Sequence, residues 1–178
     1  LGEEELLRDA QIFALAIFRT AAATAYPFAF GELAVEMSSD LDNYQRIAGD
    51  KFDLSGVKEL VEELSGKFRA LDAEIVRLNS LAEPGDEDLS RAGRVNGLCM
   101  DLNRILIPVH YCKNGDLFQV DLAIPIPAFP EFEEVQKLAG MDPATDEFKF
   151  LERQLLRERN RVYHYLKKAV SRLESEGL

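Results

Sequence analysis

Residues 54–80 read LSGVKELVEELSGKFRALDAEIVRLNS. Val57, Val61, Leu64, Phe68, Leu71, Ile75 and Leu78 follow one another in steps that alternate four and three without a break. That period sets these side chains in one stripe along a single helix. Leu60 widens the stripe at one end, while Lys58, Glu59, Glu62, Glu63, Lys67, Arg69, Asp72, Glu74 and Arg77 fill the other faces. Asp53, just before the helix, can accept from the free amides of the first turn. Such a helix runs for about seven turns and roughly 40 Å, so it needs long partners to cover its stripe. A narrow four-three seam also suits a coiled-coil dimer. The rest of the chain supplies further apolar helices, which favours an intramolecular bundle. Val61, Leu64, Phe68, Leu71 and Ile75 are therefore expected to be buried within one subunit.

The chain has 178 residues, 47% of them hydrophobic and 30% charged. This is the composition of a globular domain with room for a real core. The net charge of -11 excludes the counterion release that drives nucleic-acid binding. No apolar run reaches the roughly 20 residues that span a bilayer. The nearest, residues 10–30, is interrupted by Gln11 and Arg19 and has no basic segment before it. The chain begins at Leu1, as a processed product or a fragment of a longer protein would. Cys99 and Cys112 read as buried free thiols; a disulfide would need the chain to turn back sharply after Tyr111.

Around the central helix the sequence predicts an all-α bundle of four long helices and a short one, with a long, irregular, proline-containing crossover. Residues 3–25 form a helix through Leu6, Ala10, Phe13, Ile17 and Ala21, stopped at Tyr26-Pro27-Phe28. Residues 30–48 form the next, with Ser38-Ser39-Asp40 as a weak middle. After the loop at 82–88, Val95, Leu98, Leu102, Ile105, Leu106 and Val109 mark a helix from Asp88 to His110, with Pro108 bending or ending it. Pro125, Pro127 and Pro130 keep residues 111–130 extended, with an edge strand expected at 118–122. A short helix spans 131–138. The last runs from about 145 to 174 on Phe148, Leu151, Leu155, Val162, Leu166, Ala169 and Leu173. Arg153, Arg157, Arg159 and Arg161 on it read as a solvated face paired with glutamates, against the alternative of a surface for an acidic partner.

Catalytic patterns are missing. The residues three before His110 and His164 are Ile107 and Arg161, so neither histidine completes the Glu-x-x-His pair of metal-binding bundles. There is no zinc-protease helix motif, nucleophile elbow or phosphate-binding glycine loop. Both histidines read as structural, and the sequence selects no catalytic, cofactor-binding or metal-binding residue. An assembly or interaction domain is the expected class, with a freestanding helical adaptor as the alternative and a carboxylate–metal bundle enzyme as the remote third.

The order of features resembles the transferrin-receptor-like dimerisation domain, the C-terminal helical domain of the glutamate carboxypeptidase and transferrin receptor family, related to M28 zinc peptidases. The resemblance rests on Tyr26-Pro27-Phe28 after an alanine-rich helix, Leu33-Ala34 and Tyr44, and Phe52-Asp53 opening the long helix. It continues through Leu102-Asn103-Arg104, Leu117-Phe118 with Val120, and Phe129-Pro130. It covers nearly the whole of residues 1–178, read as one helical domain at the C-terminal end of a longer protein. It implies a homodimer, an upstream peptidase domain, and a crossover at 111–130 bordering that domain's cleft. Zinc would belong to the peptidase domain, with no cofactor in this one. Ile124-Pro125-Ile126-Pro127-Ala128 runs straight to Phe129 without the Lys-Tyr pair of the glutamate-specific members, so glutamate specificity is not implied. Phe28, Phe30, Ile124, Ile126 and Phe129 are the expected exposed interface residues, because a bundle core has least need of them.

Overall fold

A computed structural model describes residues 2–113 and 128–177. Every regular element among them is helical: α1 (Glu3–Ala22), α2 (Phe30–Ala48), α3 (Ser55–Asn79), α4 (Asp86–His110), α5 (Val135–Gly140) and α6 (Asp146–Glu174). Short 3-10 turns at Gly49–Lys51 and Pro130–Glu134 precede α3 and α5. The expected all-α bundle is what forms. α2, α3, α4 and α6 are the long helices that pack in it and α5 is the short one, whereas α1, also expected in the bundle and 20 residues long, buries no residue.

α3 lies at the centre, packed against α2, α6 and α4; α6 also packs on α4, and α5 closes against α2 and α6. The whole stripe, Val57 to Leu78, is buried together with Leu60. A four-three stripe alone is narrow, but three helices surround α3, and Leu60 and Val61 together broaden its first turns. Phe68 has no exposed surface and its ring lies 5.3 Å from that of Phe30. Asp53 does meet the amide of Ser55, at 2.9 Å, at the start of α3. α2 runs unbroken through Ser38-Ser39-Asp40, because Met37, Leu41 and Tyr44 are buried on either side and packing outweighs weak propensity. α4 tolerates Pro108 near its end: the helix stops at His110, and the carbonyl of Pro108 accepts from Arg161 Nη1 at 3.2 Å.

The segment between α1 and α2 is held by side chains that stand in for backbone. Asn79 accepts from the Ala25 amide at 2.8 Å and donates to the Ala25 carbonyl at 3.0 Å. Asn96 accepts from the Tyr26 amide at 2.7 Å and donates to the Thr24 carbonyl at 3.3 Å. α2 has no side-chain cap of its own at Ala29. Asp72 of α3 supplies one, taking the Phe30 amide at 2.9 Å and the Gly31 amide at 2.7 Å. A carboxylate here satisfies two free donors and complements the positive end of the helix. Glycine at 31 leaves room for this cap, since a Cβ there would stand 2.8 Å from Asp72 Oδ2 and push the carboxylate aside. Asp72→Ala is expected to cost about 1–3 kcal/mol, read as a lower urea midpoint with an unchanged slope.

Two expected interface residues prove to be core. Phe30 is 3% exposed, because the Asp72 cap fixes the first turn of α2 with that ring turned in toward Phe68. Phe129 is fully buried. Its backbone adopts a left-handed conformation, φ 49° and ψ 57°, that aims the ring inward between His110 and Phe132. The edge strand expected at 118–122, with Ile124 and Ile126, lies outside the described residues. Cys99 and Cys112 are buried and unbridged.

Candidate functional site

α1 is the exception to the packing. It is a 20-residue helix with no buried residue. Local features make it helical: Glu3, Glu4 and Glu5 sit at the positive end, and Glu5 takes the Gly2 amide at 3.0 Å. Its surface is another matter. Leu6, Leu7, Ile12, Phe13, Leu15, Ile17 and Phe18 are all about half exposed or more, with Phe18 reaching 70%. From Ile12 to Phe18 every residue is apolar, so the belt runs round the whole helix. A helix apolar on all sides belongs inside a core. Exposed patches of this kind mark protein contact surfaces.

A smaller apolar patch adjoins the end of α3. Phe28 is 43% exposed, and its ring packs edge-on against Tyr26 at 6.0 Å. Pro27, Phe28, Ile75 and Val76 line a shallow depression there. Of the expected interface residues, Phe28 alone among the described ones is at the surface. The sequence named the residues of α1 but assigned them to the bundle. Their period says that they need cover, not where the cover comes from.

Sequence reasoning missed a third place altogether. Glu36 and Asp40 are one turn apart on the same face of α2, and His110 ends α4. The helix packing brings potential ligand atoms of all three within 4.8 Å of one another. His110 has no exposed surface, and neither of its ring nitrogens has a hydrogen-bond partner. Its ring is walled by Tyr111 at 4.2 Å and Phe129 at 5.1 Å. This apolar cover pushes the imidazole pKa down to about 4 by desolvation. Burial raises the Asp40 carboxyl. Burial also raises the Tyr111 phenol, helped by the negative charges of Glu36 and Asp40. Tyr44, one further turn along α2, donates to the Ala128 carbonyl at 3.0 Å. Desolvation first, then Glu133 and Asp40, push its pKa up to about 12. The sequence signal was a Glu-x-x-x-Asp pair on a helix. The Glu-x-x-His pattern does not register it, because the histidine comes from another helix.

The arginines of α6 divide. Arg153 and Arg157 are exposed. Arg159 bonds the Asp53 carbonyl at 2.8 Å and sits over the Phe52 ring at 5.6 Å. Arg161 pairs with buried Glu131 and, at 2.8 Å, with Glu158. Arg159 and Arg161 thus tie α6 to the chain before α3 and after the crossover rather than waiting for a partner. His164 is exposed and does not belong to the cluster at His110. Among the described residues no helix is long and apolar enough to cross a membrane. Comparison with protein-family models, with curated proteins and with solved structures finds no match for this chain.

Proposed function

We propose that this chain is a homodimerisation and assembly domain of a glutamate-carboxypeptidase-like metallopeptidase of the M28 type, not catalytic by itself. The observation that carries the assembly reading is α1, a capped helix with an apolar belt on every side and no buried residue. A flat seam would cover one face of such a helix; a belt asks for a surface that wraps it. We assign that surface to the upstream peptidase domain that the resemblance implies. It leaves the patch at Phe28 for the second subunit, and the crossover at 111–130 to border the peptidase cleft.

A freestanding adaptor would use the same α1 belt to hold another protein without self-association. Sedimentation velocity separates the two readings. The chain is expected to dimerise within the micromolar range, and Phe28→Glu to weaken the dimer while leaving the thermal midpoint within about 2 °C, as surface changes do. A chain that stays monomeric at high micromolar concentration, in a longer protein that is also monomeric, would rule out homodimerisation.

A further inference from the structure

We propose that Glu36, Asp40 and His110 bind a divalent transition-metal ion of the zinc class. One imidazole nitrogen and two carboxylates are the mixed nitrogen–oxygen set that such ions take. The geometry requires little movement. An ion held at about 2.0–2.2 Å from each ligand needs ligand atoms roughly 3.4 Å apart. The atoms here already lie within 4.8 Å. Glu36 is exposed and Asp40 half-buried, so rotation of their side chains closes the difference. His110 cannot move so freely and does not need to, since it is the fixed ligand.

The charge pattern supports a cation rather than another occupant. The two carboxylates stand together, and among the described residues neither has a salt bridge within 4 Å. Lys51 donates to the Ala139 and Met141 carbonyls, Lys58 pairs with Asp42 and Lys113 with Glu133, so the nearest lysines in sequence are engaged elsewhere. The buried imidazole has two ring nitrogens without a hydrogen-bond partner, one of which can offer its lone pair to a cation. Buried polar atoms without partners are uncommon and call for an occupant. A cation satisfies the lone pair and offsets both negative charges. The remaining coordination positions open toward Glu36, the solvent side, where water completes the shell. An ion there would clamp the middle of α2 to the end of α4. It would fix the point at which the chain leaves α4 for the crossover. The site therefore does not depend on the assembly reading above.

The test is titration of the chelator-stripped chain with zinc by calorimetry and with cobalt by visible absorption. The expected result is one ion per chain, a tetrahedral or five-coordinate cobalt spectrum, and a higher thermal midpoint with zinc. His110→Gln should weaken binding by more than the roughly 10–100-fold that changes outside the coordination sphere cause. Because His110 is buried and its variant could unfold, Glu36→Gln is the second variant. Its side chain is exposed, so the fold should hold while affinity falls about tenfold or more. His164→Ala should bind as the wild type does. Three results would overturn the proposal: no binding by the stripped wild type, affinity unchanged in Glu36→Gln, or a thiolate-to-cobalt charge-transfer band showing that a cysteine holds the metal instead.

Discussion

Phe68→Ala is expected to lower the unfolding free energy by about 3–5 kcal/mol, a large share of what holds a domain of this size together. Phe68 sits mid-stripe on α3 with no exposed surface, in contact with the Phe30 ring from α2. Removing the ring takes away its burial and leaves a hole between helices that are fixed on both sides. The Asp72 cap and the Asn79 clamp, on the same helix, hold the α1–α2 connection against α3. The site therefore cannot collapse easily, which puts the cost toward the upper end of the range. Val76, one position past Ile75 on the same helix, is 67% exposed. Val76→Ala should change stability by no more than about 0.5 kcal/mol. Urea unfolding of both variants, at two protein concentrations, makes the comparison. If the stripe were instead a seam between two subunits, the Phe68→Ala loss would depend on protein concentration. The bundle predicts that it does not.

The second large effect is of pH. His110 has its pKa lowered from 6.5 to about 4 in the folded chain by desolvation. Between those values the unfolded chain binds a proton that the folded chain excludes, so stability falls as pH falls. The cost is absent above about pH 6.5 and grows steadily as pH falls to about 4, where it is complete. Over that window the loss is about 3 kcal/mol, and between pH 7 and pH 5 about 2 kcal/mol. Asp40 acts in the opposite sense. Burial raises its carboxyl, so the folded chain takes up that proton more readily and regains some stability in acid. Asp53, Glu74 and Asp101 are lowered, by the Ser55 backbone amide, the Arg77 hydrogen bond and the Arg172 hydrogen bond respectively. Their contributions disappear only further into the acid range. Urea unfolding in chelator at pH 7 and pH 5 should show the loss in the wild type and most of it missing in His110→Gln. An equal loss in both would mean that the imidazole is not the group responsible.

The sequence carried the bundle well because α3 obeys a single period from Val57 to Leu78 and burial follows period. α6 was equally readable: Phe148, Leu155, Val162, Leu166, Ala169 and Leu173 are all buried, Thr145 caps it, and Leu151 alone of its expected stripe is partly open. α1 carries as strong an apolar signal as either, yet buries nothing. Periodicity reports what a helix needs, and it cannot report whether the same chain provides it. Phe30 and Phe129 failed as surface residues for a different reason. Each lies outside the predicted apolar stripes, where a bundle core has least need of it. In each case a local device turns the ring inward: a carboxylate cap from α3 for Phe30, and a left-handed backbone for Phe129. The cluster at His110 was the least legible feature. Its carboxylates are neighbours on α2, but the histidine reaches them only because α4 ends beside that helix. Single-segment motifs do not record such a meeting.

The central proposal is a division of labour: α3 is covered within one chain, and α1 serves assembly. Amide hydrogen exchange on the dilute chain, on the concentrated chain and on any longer protein that carries it tests it most directly. The account predicts that α3 amides are fully protected in the dilute monomer and do not change on assembly. Ile12 to Phe18 should exchange rapidly in the monomer, since an isolated helix of this length is marginal, and become protected when the partner surface covers them. Protection of α3 that appears only on assembly, or protection of Ile12 to Phe18 already complete in the dilute monomer, would contradict it.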